Sequence, residues 1–265
     1  MMLVVLAYRH DAAARALVER WRTAGECCAL LTCEDFARPG WVYVAGNPAA
    51  GSADIDGQVI ATSDIRAVVI RMPAVGEAEL GHLHQDDRRY AASEIQAFLL
   101  AWLSSLPCPV LNRPSPSNLG GPWWSLGQWV QRSRRLGIRA RPVTERVVFA
   151  TDAPAIIERR VDGSSLPVDV VGDRAFLAGG REPGASEVAL ADAAVSLARD
   201  AGVELLRVYF EPGSEQMPVF LEADLWIDVA ADRVAGAVAD RCRELSDAAA
   251  AARRLTRADS MAVTA

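Results

Sequence analysis

GVELLRVYFEPGSEQMPVFLEADLWID, residues 202–228, reads as strand, turn and strand. Val203, Leu205, Val208 and Phe210 make one apolar run and residues 218–221 a second, with the turn formers Glu211, Pro212, Gly213 and Ser214 between them. Glu222 and Asp224 follow the second run, two residues apart. Successive side chains of an extended chain alternate, so the two carboxylates share a face and Ala223 and Leu225 take the other. Two carboxylates on one face suit a divalent cation such as Mg²⁺, which binds oxygen and keeps water or substrate phosphate in the rest of its shell. They equally suit acid/base work on a substrate, and a strand end running into solvent carries the same pattern.

Working outward, residues 186–201 predict a helix before this unit and residues 230–245 a helix after it, with Val234, Val238 and Cys242 on one side. Residues 146–149, 155–161, 167–171 and 174–178 predict short strands with a DG and a GD turn among them. The chain start predicts β-α-β: a strand at 2–7, a helix at 12–23 capped by Asp11 and stopped by Gly25, and a strand at 27–32. Such a crossover pairs its strands in parallel. Further strands are predicted at 41–45, 58–61, 67–70 and 109–112, with an amphipathic helix at 89–104 that turns Ile95, Phe98, Leu99 and Trp102 inward. The Pro-, Ser-, Asn- and Gly-rich residues 113–122 read as a linker, followed by a helix at 123–136. His82 and His84 with Asp86 and Asp87 offer metal-ligating groups, but in a long polar loop with no third His nearby.

With 265 residues, half of them hydrophobic, the chain can build one large or two modest cores. A net charge of −6 argues against a nucleic-acid surface. All 28 basic residues are Arg, so no side-chain amine is available as nucleophile, Schiff-base former or flexible phosphate ligand. Five cysteines, with two adjacent and no CxxC, form neither a disulfide framework nor a zinc site; the expectation is reduced thiols in a cytoplasmic protein. No apolar run reaches the length of a membrane span.

The order of segments resembles the ATP-grasp superfamily, in particular the branch of ribosomal-peptide maturases and RimK-type ligases. AVVIRMP at 67–73 resembles that family's strand ending in Arg, here Arg71. RRYAASEIQAFLLAWLSSL resembles its helix bearing a Glu, here Glu94, and PVLNRP at 109–114 the strand that follows. WSLGQWVQRSRRLGIRARPVT resembles the helix leading into P-x-T, ERRVDGSSLPVDVVGDRAFLA the segment after the adenine hinge, and VFLEADLW the metal-bearing strand. The resemblance implies an open, mostly parallel α/β domain at 1–116, an α+β ATP-grasp-like core at 117–245 and a helical or disordered tail at 246–265. It also implies a family chemistry in which a carboxylate is joined to an amine or hydroxyl through an acyl phosphate.

The pattern is incomplete. The family's Lys after the N-R-P strand falls on residues 124–126 here, and only residues 145–157 stand where the family has a small lobe with a second Lys and a glycine-rich loop. Pro167 stands at a family Arg, and Tyr209 or its neighbour at a family Asp metal ligand; Glu222 is kept, and the usual Asn is Asp224. Phosphoryl transfer rests on positioning and cationic stabilisation, and one lost donor costs about 3 kcal/mol of barrier.

The leading expectation is therefore a truncated ATP-grasp-like protein without ligase turnover or cofactor. It would bind a peptide or small carboxylate, alone, as a homo-oligomer or beside an active ligase, in peptide modification or natural-product assembly. Alternatives are an ATP-independent enzyme using Glu222 and Asp224, or a minimal Mg²⁺- and ATP-dependent ligase in which Arg159 and Arg160 replace lysine. Arg71, Glu94 and Trp226 are the candidate substrate contacts. Grouped tryptophans also mark interfaces, although a PWW pair opening a helix is commonly core.

Overall fold

The computed structural model describes residues 1–142 and 165–263. They form two compact units, Met1–Pro122 with Val229–Ala265, and Trp123–Asp228.

In the first unit, β1 (Met2–Ala7) leads through α1 (Ala12–Thr23) to β2 (Cys28–Leu31), parallel to β1 with Leu3 opposite Cys28 and Leu6 opposite Leu31. The helix starts where Asp11 Oδ1 accepts the Ala14 N–H at 2.9 Å, leaving one fewer orphan donor in the first turn. A hairpin of β3 (Ser52–Ile55) and β4 (Gln58–Ala61) stands apart from the main sheet. Then come β5 (Ile65–Arg71), α2 (Arg88–Ser105) and β6 (Val110–Leu111). The sheet order is β2-β1-β5-β6, and every pairing is parallel.

Leu3, Val4, Val5 and Leu6 are all buried, so both faces of the sheet are covered, as parallel sheets require. Val4, Leu6, Val68 and Ile70 share a core with Leu99 and Trp102 of α2. The opposite face is covered by α1 and the final helix, α5 (Asp232–Val263). Val234, Val238 and Cys242 of α5 are fully buried, the Trp21 indole donates to the Ala235 carbonyl at 2.9 Å, and the Ser246 hydroxyl donates to the Arg66 carbonyl at 2.8 Å. Each such aliphatic contributes roughly 1.5–3 kcal/mol on burial. The helix expected at 230–245 as part of the second domain thus packs on the first, because its apolar stripe meets β5, and it continues to Val263.

Two other expectations change. Residues 41–45 form no strand: only Val42 bridges, to Ser52, while Trp41 turns in to stack on Phe36 at 4.5 Å and meet Phe98 and Trp102 edge to face. Residues 58–61 pair with the unforeseen β3, through a turn in which Asp56 and Gly57 have φ of +54° and +78°. His82 and His84 are exposed, and no group of three metal-ligating side chains occurs among the described residues. Nor is any described helix long and apolar enough to cross a membrane.

The second unit opens with α3 (Leu126–Arg135), capped by Ser125, and β7 (Arg139–Ala140). It continues with β8 (Leu166–Val171), β9 (Arg174–Leu177), α4 (Val188–Ala201), β10 (Leu205–Phe210) and β11 (Val219–Asp224). Its sheet runs β7-β11-β10-β8-β9, antiparallel except that β7 and β11 are parallel. Val168, Val170, Leu206, Val208, Phe210 and Phe220 turn one face to α3 and α4. The strands expected at 146–149 and 155–161, and Arg159 and Arg160 themselves, lie outside the described residues.

Candidate functional site

The other face of the second sheet carries a polar row beside the buried apolar residues Val171, Phe176 and Leu205. Antiparallel partners share a face, so the register assembles the site. Arg207 lies opposite Asp169 on one side and Asp224 on the other, and Tyr209 opposite Glu222. A β-bulge makes this possible. Tyr209 pairs with Glu222 but Phe210 pairs with Phe220, leaving Leu221 as the extra residue. Without it, Phe220 and Glu222 would point the same way; with it, Phe220 enters the core and Glu222 the polar face.

Arg207 donates from Nε and Nη2 to the two carboxylate oxygens of Asp169, each at 2.7 Å, and the Asp169 side chain is 3% exposed. Tyr209, next on the same face, interacts electrostatically with both Arg207 and Asp224. Asp224 Oδ1 accepts the Trp226 amide at 2.6 Å. Burial holds the Asp224 carboxyl above its ordinary pKa, against the lowering pull of the Trp226, Tyr209 and Arg207 contacts. Burial and the Asp224 charge likewise hold the Tyr209 hydroxyl protonated above its usual range. The result is a row of side chains on one face, Asp169 bonded to Arg207 with Tyr209, Glu222 and Asp224 beside them.

Of the other expected site residues, Trp226 is 39% exposed just beyond β11. Glu211 sits outside the network, holding Arg141 through both its oxygens, and those bonds keep its carboxyl below the usual range. In the first unit, Arg71 is only 4% exposed and donates from Nε to Asp11 Oδ2 at 2.8 Å, while Glu94 lies exposed on α2. The structure thus brings Glu222, Asp224 and Trp226 together and turns Arg71 into the interior of its own unit.

Sequence reasoning missed Asp169 and Arg207. Each is a lone charge among apolar residues in a strand, of opposite sign to the other, and that pairing was the available signal.

Two grooves flank α4. One, of about 570 Å³, runs beside β9 over Phe176, Val188 and Val195; the other, of about 350 Å³, is floored by Ile138, Ala193 and Pro218. Asp192 and Ser196 line both, on the ridge of α4 between them. Asp192 is exposed and has no ion pair or hydrogen-bond partner among the described residues.

No family model matches the sequence, and no curated protein does. Solved structures do. The macrocyclase MdnC from Microcystis aeruginosa, bound with precursor peptide MdnA, superposes at TM-score 0.63 and 10% identity over 91% of this chain and 100% of its own. The ATP-grasp ligase PsnB, complexed with minimal precursor, Mg and ADP, gives 0.60 and 14% over 91% and 98%. A RiPP-associated ATP-grasp ligase from Chryseobacterium gregarium, in complex with ADP and a leader and core peptide, gives 0.60 and 11% over 92% and 96%. Likeness of backbone at so low an identity defines architecture, and this chain has the fold of the ATP-grasp ligases.

Proposed function

We propose that this chain binds a peptide across α4 and serves as a substrate-binding partner in peptide modification, without running an ATP-dependent ligation itself. The observation that carries the reading is the pair of grooves that share Asp192. One unpaired carboxylate, with apolar side chains to either side and the ion pairs Arg174–Glu182 and Arg199–Asp173 at the rim of the larger groove, suits an extended peptide with a basic side chain between apolar ones. The solved structures of similar fold hold precursor peptides. Against ligation stands the absence of lysine. Four described arginines of the second unit are already committed: Arg207 to Asp169, Arg141 to Glu211, Arg181 to Glu187 and Arg199 to Asp173. Phosphoryl transfer needs cations free to meet developing charge.

Selection of phage-displayed random peptides on the immobilised chain tests the binding half. Peptides with a basic residue between apolar ones should be enriched, and Asp192→Arg should abolish their capture. Equal capture by both proteins, or no enrichment, overturns it. ADP release on incubation with ATP and Mg²⁺ tests the other half: none is expected above a protein-free blank, and repeated turnover overturns it.

A further inference from the structure

We infer that the acid pair at the end of β11 is closed by the chain's own donors, with Arg207 as its cation, and takes no divalent metal. Glu222 and Asp224 are carboxylates on one face, the donor type Mg²⁺ accepts. Their surroundings do not fit it. Asp224 Oδ1 accepts a hydrogen bond from the Trp226 amide at 2.6 Å, so an approaching ion competes with an in-chain donor. Tyr209 stands directly opposite Glu222, so the cross-strand neighbour of that carboxylate is a neutral phenol and not a third acidic ligand.

Arg207 lies opposite Asp224, and its guanidinium cannot lose its charge near neutral pH. The two-pronged bond to the buried Asp169 fixes it there. Overall charge is not what shuts the site, since Asp169, Arg207, Glu222 and Asp224 together still sum to minus two. What closes it is the Trp226 amide on Asp224 Oδ1 and a fixed cation in the same row. The proposal stands apart from peptide capture across α4, which lies on the opposite face of the sheet, so either can fail alone.

Mn²⁺ titration followed by electron paramagnetic resonance tests the closure, because bound ion loses the sharp spectrum of free Mn²⁺. The unaltered chain should leave that signal unchanged. Tyr209→Asp, which replaces the phenol with a third carboxylate, should bind Mn²⁺ at least about tenfold more tightly than the parent, the scale of effect that groups around a metal exert. Tyr209→Phe, a milder change that folds more safely, should gain binding in the same direction. Adding Glu222→Gln should reverse both gains. One equivalent bound by the parent and lost in Glu222→Gln overturns the inference. So does silence in every folded variant, which means that Tyr209 is not what keeps the ion out.

Discussion

Arg207 and Asp169 meet across β10 and β8 through two parallel bonds of 2.7 Å, on the sheet face opposite the hydrophobic core. A two-pronged guanidinium–carboxylate bond has one geometry, so it also fixes where Arg207 stands relative to Tyr209 and Asp224. Register, through this pair, sets the electrostatics of the whole polar row.

Removing one partner should cost far more than removing both. Asp169→Ala leaves the mostly buried Arg207 without its main counter-ion and should lower unfolding free energy by about 3–5 kcal/mol. Asp169→Leu combined with Arg207→Met removes the charges together and should recover most of that loss. Urea midpoints of the three proteins decide it; a double variant no better than the single one refutes the estimate.

Asp224 should make the second unit less stable as pH rises. Burial lifts its folded-state pKa above the unfolded value near 4, so the folded chain binds the proton more tightly. A carboxyl raised in this way costs nothing below both values and progressively destabilises the fold as pH climbs from the unfolded value through the folded one. Asp224→Asn, which keeps an oxygen for the Trp226 amide, should therefore gain in melting temperature over the parent at neutral pH and lose that gain in acid. A constant difference across the range would show that the ionisation of Asp224 is not linked to folding.

Much of this architecture was legible because its signals are local. The helix Ala12–Thr23 with its Asp11 cap followed from composition and spacing alone, and so did the parallel pairing of β1 with β2. The shared face of Glu222 and Asp224 followed from the period of two. The Asp56-Gly57 turn was equally local and was passed over, because Ser52–Ile55 holds too few apolar residues to read as a strand. Other features depend on partners distant in the chain. Nothing near Val234 says that its stripe meets β5, or that Trp41 leaves a β-like run to join α2. Nor does the local sequence reveal that Leu221 is a bulge, since Phe220 and Glu222 stand two apart and alternation alone puts them together.

The bulge gives an asymmetric prediction for single-residue deletions. Deleting Leu221 removes the extra residue and still leaves Glu222 opposite Tyr209 and Ala223 opposite Val208, so the sheet should survive with a modest loss. Deleting Ala223 instead brings Asp224 opposite Val208, on the core face, where an unpaired carboxylate costs several kcal/mol. Far-ultraviolet circular dichroism during urea unfolding should rank the two deletions in that order. Equal loss would mean that β11 has no preferred register.

Asp11 does two jobs in the first unit, and two substitutions separate them. One oxygen caps α1 at the Ala14 amide and the other accepts Arg71. Asp11→Asn keeps a capping oxygen, since Asn caps as well as Asp, but meets the buried guanidinium without charge. Asp11→Ala loses both functions. The cap is worth about 1 kcal/mol, so Asp11→Ala should fall below Asp11→Asn by about that amount. The remaining deficit of Asp11→Asn against the parent then measures the whole Asp11–Arg71 contact, charge and acceptor oxygen together, because the Asn amide nitrogen cannot accept from Arg71 Nε. Because Arg71 is 4% exposed, that deficit should be hardly altered by added salt, which screens exposed pairs and leaves buried ones almost intact. A deficit that vanishes in high salt would place Arg71 in solvent contact, where it could serve as the substrate contact expected from the strand that carries it.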